Sequence, residues 1–342
     1  MRFVEFFYGL AAAAAVRAAP AEDKPMTKRQ GGLQFTGVNV AGGEFGNMNL
    51  PGELNTDYVW PDKTALDTLF NDGMNIFRVA MMMERAIPDQ MTGSINETYF
   101  EGFEDAINYI TGKGAYAVVD PHNFGRYYDQ IITDTAGFEA WWKTIAARFA
   151  DNELVIFDTN NEYHDMDNQL VADLNQAAVN GIRDAGATSQ FIFLEANSWS
   201  GAWHFVDSGS AEAMKDITDP SDETGSKIFY ELHQYLDEDG SGTSEPCVSG
   251  TIGSERLDLA TPWFRENGKK AVLGETAGAS NPTCIEALKD ELQYIVDNSD
   301  VWTGHLLWAA GPWWADYMFS MEPPDGPMYT GVFPSIKSFY GA

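Results

Sequence analysis

Two glutamates, Glu162 and Glu275, stand out because each follows a run of apolar and β-branched residues. Glu162 ends the segment VIFDTNNE, and Glu275 lies in the segment AVLGETAG. A carboxylic acid and a carboxylate that face each other could cleave a glycosidic bond, since one protonates the leaving oxygen while the other attacks the sugar or activates water. Either glutamate could instead be an ordinary partner of a nearby arginine.

Polar or aromatic residues end most of the other apolar runs as well. They are Arg78, His122, Asn123, Asn161, Asn197, Trp199, His233, Tyr235 and Trp308. In a barrel of parallel strands, the C-terminal ends of the strands meet around one mouth and form the active site. We therefore expect these side chains to surround Glu162 and Glu275.

The runs recur at regular spacing and predict the fold. Eight of them begin near Phe35, Ile76, Tyr116, Val155, Phe191, Ile228, Ala271 and Leu306. Helical patterns fill most of the gaps, at 97–112, 138–149, 169–185 and 285–296, with a shorter one at 211–217. Eight alternating units predict an α/β fold, a (β/α)8 TIM barrel of one domain. The alternative is a doubly wound sheet, but AGGEFG after the first run leads into no clear helix.

Charge and motifs exclude several classes of function. The chain has 342 residues, and 21 Lys+Arg against 51 Asp+Glu give a formal net charge of −30. This acidity disfavours nucleic acid and anionic membranes as partners. The motifs H-x-H and H-E-x-x-H do not occur among the five histidines, and no G-x-S-x-G elbow is present. We therefore expect neither a metal nor another cofactor.

The amino-terminal residues resemble targeting and processing segments. In residues 1–21, Arg2 precedes an apolar run that ends at Ala-Ala-Pro-Ala, as in a secretory signal peptide. Residues 22–29 end in Lys28-Arg29, which resembles a dibasic cleavage site of a pro-segment. The catalytic domain would then comprise residues 30–342.

Two further features fit a secreted eukaryotic protein. Cys247 and Cys284 are the only cysteines, and in an oxidising compartment they would form a disulfide; in the alternative they are two buried thiols. Asn96-Glu97-Thr98 is a candidate site of N-glycosylation at Asn96. Together with the amino-terminal segments, they predict an extracellular location.

At this point the motifs resemble those of a known family. Asn161-Glu162, LGETAG around Glu275, DPHN at 120–123, HQY at 233–235 and WAAGPWW at 308–314 are together similar to glycoside hydrolase family 5. The match is strongest to secreted fungal endo-β-1,4-glucanases and runs from about residue 37 to residue 331. It implies a retaining (β/α)8 enzyme that acts on β-1,4-linked glucans.

The resemblance also implies a role for each matching residue. Glu162 would be the general acid/base and Glu275 the nucleophile, whose pKa Arg78 would keep low. Five further residues would support them. Asn161 would hydrogen-bond the sugar 2-hydroxyl, and His122 would contact other substrate hydroxyls. Tyr235 would donate a hydrogen bond to the nucleophile, His233 would orient this group, and Trp308 would form the stacking floor. Trp203 and Trp313 are further candidates for contact with sugar rings.

Two departures from the family pattern are visible. Tyr163 follows the expected acid/base where the broad family has proline, which is similar to the fungal subgroup, and Thr276 follows the expected nucleophile where related sequences often have tyrosine. The alternatives are a mannanase or xyloglucanase on the same barrel, or a carbohydrate-binding barrel without catalysis. In each case we expect a monomer with a β-1,4-linked polysaccharide partner.

Overall fold

Eight parallel strands close into a barrel in the computed structural model, which describes residues 32–340. The described residues form ten strands: β1 (Phe35–Val40), β2 (Ile76–Met81), β3 (Tyr116–Pro121), β4 (Arg126–Tyr127), β5 (Gln130–Ile131), β6 (Val155–Asp158), β7 (Phe191–Glu195), β8 (Ile228–Tyr235), β9 (Ala271–Ala277) and β10 (Trp302–Ala310). The order around the barrel is β1-β10-β9-β8-β7-β6-β3-β2, and β4 pairs with β5 in a separate antiparallel ribbon. The predicted (β/α)8 barrel is confirmed.

Helices connect the strands and cover the outside of the barrel. They are α1 (Lys63–Asn71), α2 (Met83–Ala86), α3 (Glu97–Gly112), α4 (Thr135–Ala146), α5 (Asn168–Asp184), α6 (Ser210–Met214), α7 (Ile252–Leu257), α8 (Thr261–Glu266), α9 (Pro282–Asp297), α10 (Pro327–Gly331) and α11 (Phe333–Ile336), followed by a 3₁₀ turn at Lys337–Tyr340. The helices α4 and α9 begin before residues 138 and 285, where the sequence pattern placed their starts, and N-terminal capping explains the difference. The side chain of Asp134 accepts the Gly137 N–H, and Asn281 accepts the Cys284 N–H ahead of a proline at the first turn of α9.

Seven of the eight predicted strand starts match the structure, whereas β10 begins at Trp302 instead of Leu306. The segment WTGH hid this start, since it lacks a continuous apolar run. Gly304 lies within it because the strands approach closely here: a Cβ on Gly304 would lie 2.0 Å from the carbonyl oxygen of Phe35. The break in the apolar pattern therefore marks close packing of β10 against β1.

Alternation along the strands divides the barrel interior into two layers. Side chains two residues apart point the same way, so an apolar layer that includes Ile156, Phe193 and Phe229 is followed by polar residues nearer the mouth. That second layer includes Asp158, Glu195 and Glu231, which are all buried. The barrel thus places charged groups directly beneath its C-terminal mouth.

Features outside the barrel bear on the remaining expectations. Cys247 and Cys284 form a disulfide with a Cα–Cα distance of 5.3 Å, which confirms the pairing. Asn96 lies half-buried at the start of α3, and its glycosylation stays a prediction. The segments 1–21 and 22–29 lie outside the described residues. Within residues 32–340, none of the helices combines the length and apolarity that crossing a bilayer requires.

His305 makes the free energy of unfolding depend on pH. Both ring nitrogens are buried without a hydrogen-bond partner, and burial lowers the pKa of His305 to about 3. The unfolded chain, with an ordinary histidine pKa near 6.5, therefore binds an extra proton as pH falls below that value, which favours unfolding. His305 should therefore cost the unchanged enzyme about 3 kcal/mol of its free energy of unfolding between pH 7 and pH 4, and we expect His305→Leu to abolish this loss.

Urea unfolding at the two pH values measures this difference. The matched control is His204→Leu, because His204 is exposed and its ring stays hydrated. An unchanged pH dependence in the His305→Leu variant would contradict the prediction.

Candidate active site

Arg78 of β2 is fully buried beneath the mouth and joins residues from most of the barrel. Its guanidinium nitrogens lie 2.7 Å from Asp158, 2.8 Å from Glu195, 3.0 Å from Glu275 and 3.1 Å from both Asp120 and Glu231. It also donates to the amide oxygens of Asn39 and Asn161 at 3.0 and 2.8 Å. Burial alone would lower the pKa of Arg78, but the surrounding carboxylates raise it, so the guanidinium stays charged.

The carboxyls around Arg78 differ in the direction of their pKa shifts. Burial raises the pKa of Asp158 well above its ordinary value and also raises that of Glu231, so both favour the neutral acid. Glu195 behaves differently, because His233 and Arg78 lower its pKa in spite of burial. The layer beneath the mouth therefore combines carboxyls with raised pKa values and one with a lowered pKa.

A β-bulge brings Glu275 into the mouth. The pairing between β8 and β9 passes from Leu232↔Leu273 directly to His233↔Glu275, which leaves Gly274 as an extra residue. A Cβ on Gly274 would lie 1.8 Å from a carboxylate oxygen of Glu231. Only glycine fits at this position, and the bulge turns Glu275 toward the other polar side chains.

Glu275 is buried and held at both carboxylate oxygens. Arg78 donates to Oε1 at 3.0 Å, and the Tyr235 hydroxyl donates to Oε2 at 2.7 Å. Burial raises the pKa of Glu275 to about 7; the charge of Glu162 adds to the rise, whereas His233, Arg78 and His122 oppose it. Arg78 thus lowers the pKa of Glu275, as the family resemblance implies, but burial has the larger effect and raises it.

Glu162 follows β6 in a left-handed backbone conformation, with φ of 48°. Its N–H donates to the Glu195 carboxylate, and its Oε1 lies 2.7 Å from His233 Nδ1. His233 Nδ1 also lies 3.6 Å from Glu275 Oε2. The His233 ring therefore reaches Glu162 and Glu275, which differs from the expectation that it orients Tyr235.

The two glutamates are close neighbours at the mouth. One carboxylate oxygen of Glu162, one of Glu275 and a ring nitrogen of His233 all lie within 4.8 Å of one another. Glu195, Glu231 and His233 form a second such group. Burial would lower the pKa of His233, but Glu275 and Glu195 raise it well above its ordinary value, and a protonated imidazole has no free lone pair for a metal. These groups are therefore better suited to sharing protons than to binding a cation.

His122, Asn161 and Trp308 line the side of the mouth next to Arg78. The Nδ1 atom of His122 lies 2.9 Å from Asp120 Oδ2, and its ring stacks on Trp308 with centroids 5.3 Å apart. Burial would lower the pKa of His122, but Asp120, Glu44 and Glu275 raise it to about 9. Asn161 Nδ2 lies 3.3 Å from His122 Nε2, so the three side chains form a continuous wall.

A cavity of about 750 Å³ opens on the other side of Glu162. Its walls include Trp199, Trp203, His233 and Tyr235. Trp199 is 49% exposed and stacks on the His164 ring with centroids 4.6 Å apart. The cavity thus offers two indole rings beside Glu162.

Trp203 and Trp313 lie in different surroundings. The guanidinium of Arg256 covers the Trp203 ring at 4.1 Å from its centroid, inside the cavity wall. Trp313 is 40% exposed and stacks on Phe45, in the loop after β1. Trp203 therefore lies beside the mouth and Trp313 lies on the β1 side, and their contact with sugar rings stays a prediction.

Some residues of the site escape the sequence-based prediction. Asn39 and Glu231 are not singled out, and Glu195 on the fifth strand is left undecided. The sequence does contain a pattern that indicates Glu195 and Glu231, because each follows an inward-facing phenylalanine by two positions, at Phe193 and Phe229. Counting by two from the apolar layer would have found them.

This arrangement has close counterparts among known proteins. A family model described as cellulase (glycosyl hydrolase family 5) matches residues 29–311. The chain belongs to glycoside hydrolase family 5. The family and the enzyme class predicted from the motifs are therefore confirmed.

Two of the similar proteins come from fungi. The chain is 58% identical over 311 residues to endo-β-1,4-glucanase A of Emericella nidulans, which covers 91% of this chain and 94% of that protein. It is 51% identical over 309 residues to an endoglucanase of Neurospora crassa, which covers 90% of this chain and 78% of that protein.

Solved family 5 structures share the barrel over almost the same length. Cel5A (EG2) from Hypocrea jecorina has a TM-score of 0.79 at 31% identity, covering 89% of this chain and 98% of that one. XacCel5A in complex with cellopentaose has a TM-score of 0.83 at 33% identity, covering 90% of this chain and 99% of that one.

Proposed function

We propose that this family 5 enzyme is an endo-β-1,4-glucanase that hydrolyses cellulose-type β-glucans with retention of configuration. The observation that carries the proposal is the closeness of Glu162 and Glu275, whose nearest carboxylate oxygens lie within 4.8 Å at the mouth. Retaining glycosidases hold their two carboxyls about 5–5.5 Å apart, whereas inverting enzymes need about 6.5–9.5 Å to admit a water. The short separation supports direct attack by one of the carboxylates.

In the first step, Glu275 is the nucleophile and Glu162 the acid. A Glu275 oxygen bonds to the anomeric carbon while the glycosidic C–O bond breaks, and the leaving oxygen takes the proton of Glu162. Burial and the charge of Glu162 raise the pKa of Glu275 to about 7, whereas His233 and Arg78 act to lower it. The hydrogen bonds that Arg78 and the Tyr235 hydroxyl donate to Glu275 favour its charged form, which the first step requires.

In the second step, water breaks the glycosyl ester. Glu162, now a carboxylate, removes a proton from the water as its oxygen bonds to the anomeric carbon, and the ester C–O bond breaks to restore the Glu275 carboxylate. His233, at 2.7 Å from Glu162 and 3.6 Å from Glu275, is placed to stabilise whichever glutamate is charged. Two inversions give net retention.

The remaining residues bind and orient the sugar. Asn161, fixed through its oxygen by Arg78, presents its amide to the 2-hydroxyl, where a hydrogen bond strengthens as the ring flattens. His122 faces the other hydroxyls of the same sugar, and Trp308 provides the ring on which this sugar stacks. Trp203, and further out Trp313, extend this aromatic surface to neighbouring sugars.

The names of the similar proteins support glucan as the substrate. The fungal relatives are named endo-β-1,4-glucanase and endoglucanase, and one similar structure holds cellopentaose. They favour this substrate class over mannan and xyloglucan. An open mouth bordered by aromatic rings on two sides suits internal cleavage of a long chain. Because one chain holds both proposed catalytic glutamates, we propose that it acts as a monomer.

We also propose that the mature enzyme is extracellular and begins at residue 30. The disulfide fits an oxidising compartment, and the family match begins at residue 29, beside the dibasic pair Lys28-Arg29. Sequencing the amino terminus of the enzyme secreted by a fungal host tests both cleavages.

The test of the function follows the products. We expect the viscosity of a soluble cellulose derivative to fall much faster than reducing ends appear, and proton NMR of early cello-oligosaccharide hydrolysis to show the β-anomer first. Early α-anomer would overturn retention, and equal hydrolysis of soluble mannan would overturn the substrate.

A further inference from the structure

Glu291 of α9 is a buried carboxyl that the proposed mechanism does not use. Its side chain is fully enclosed behind the barrel wall. Gln234 Nε2 donates to one carboxylate oxygen at 2.7 Å, and the Thr276 hydroxyl donates to the other at 2.6 Å. Glu291 thus connects two strands from outside the barrel.

The two donors are neighbours of the active-site residues in the chain. Gln234 lies between His233 and Tyr235, and Thr276 directly follows Glu275. Adjacent residues of a strand point to opposite faces, so Gln234 and Thr276 face α9 while their neighbours face the mouth. Gln234 and Thr276 also pair with each other across β8 and β9. Glu291 therefore binds both members of one cross-strand pair.

This connection lies where the strand ladder is irregular. The bulge at Gly274 shifts the register of β9 against β8 just before His233↔Glu275, and the pairing of β9 with β10 is shifted in the same region. A bulge disrupts the ladder locally. Side-chain hydrogen bonds to Glu291 then hold the two strands together one residue beyond the shift.

We propose that Glu291 is a positioning residue that fixes Glu275 relative to His233 and Tyr235 by holding Thr276 and Gln234. The inference rests on the proposed role of Glu275 as nucleophile.

Both protonation states of Glu291 can make the connection. Burial raises the pKa of Glu291 to about 7, while Thr276, Gln234 and the more distant Arg256 lower it and Asp290 raises it. The protonated acid accepts from Gln234 and donates to the Thr276 oxygen, as a glutamine amide would. Methionine at this position has a similar shape but makes neither hydrogen bond.

The test compares these substitutions in the full enzyme. With a cello-oligosaccharide substrate we expect Glu291→Met to lower kcat about tenfold, because small misplacements of a reacting group have large effects, with KM within about twofold. Glu291→Gln should keep kcat within about twofold of the unchanged enzyme, and Thr276→Val should lower kcat about threefold. The matched control is Thr261→Val, which removes a buried hydroxyl bonded to Trp302 at the other end of the barrel.

Thermal melts separate positioning from folding. Thr261→Val and Thr276→Val should lower Tm similarly, yet only Thr276→Val should lower kcat. If Glu291→Met folds and keeps kcat within about twofold of the unchanged enzyme, or if Thr276→Val matches Thr261→Val in kcat, the inference is overturned. These two readouts remain decisive if Glu291→Met fails to fold, because the two valine variants are compared directly.

A trapping experiment distinguishes this inference from the proposed function. An activated 2-deoxy-2-fluoro-β-cellobioside should add one glycosyl group to Glu275 of the unchanged enzyme, seen by mass spectrometry, and more slowly in Glu291→Met. No adduct in the unchanged enzyme would overturn the nucleophile assignment itself. An adduct that forms equally fast in both would overturn only the role of Glu291.

Discussion

Replacing Glu275 by alanine is expected to lower kcat on the order of 10⁴-fold or more, because the double displacement then has no covalent step. The fold should persist, since the change also removes a buried carboxyl whose pKa is raised to about 7. Azide fits the space left by the side chain and can attack the anomeric carbon from the same face. We therefore expect azide to restore cleavage of an activated cellobioside and to give the α-glycosyl azide, identified by NMR.

The companion change at Glu162 separates the two glutamates by their roles. Glu162→Ala keeps its nucleophile, and a leaving group that needs no proton still departs to give the glycosyl ester. Azide then attacks this intermediate in place of water and gives the β-glycosyl azide. The control is Glu286→Gln, at an exposed position of α9, which should leave activity unchanged. The same azide anomer from both alanine variants would contradict the assignment.

Much of this site follows from local patterns in the sequence. Apolar runs mark seven strand starts to the residue. Arg78 lies within β2, Tyr235 ends β8, and Glu162 follows β6. A parallel barrel then brings strand ends together whatever their separation in the chain. That is why residues as far apart as Arg78 and Glu275 could be grouped before any contact between them was known.

The parts that sequence reasoning missed depend on long-range geometry. Counting by two from Val272, which faces the barrel interior, would turn Gly274 inward and Glu275 outward. The bulge that corrects this arises from contact with Glu231 on the next strand, which no local pattern records. The approach of His233 to Glu162 is of the same kind, since it depends on how two distant strand ends meet.

Arg78→Leu is expected to lower the free energy of unfolding by about 4 kcal/mol at pH 7, because it leaves buried carboxylates without their counter-charge. Arg78 contacts carboxylates of five strands, and its guanidinium lies 2.8 Å from Glu195, where it helps to lower the Glu195 pKa against the effect of burial. Without Arg78, we expect burial to raise the folded-state pKa of Glu195 above that of the unfolded chain. The folded state then binds more protons, so the lost stability should return as pH falls toward 4.

Urea unfolding of the variant and the unchanged enzyme between pH 4 and pH 8 measures this difference. The matched control is Arg265→Leu, which breaks an ion pair with Asp300 whose two side chains are 47% and 56% exposed. Exposed pairs contribute about 0–1 kcal/mol, so this control should show a small loss that does not shrink at low pH. Equal losses in the two variants, or a loss in Arg78→Leu that is the same at pH 4 and pH 8, would mean that Arg78 does not balance the charge of the carboxyl layer. A larger loss that disappears on acidification would instead identify the charge of Arg78 as the reason these carboxyls can be buried together beneath the active site.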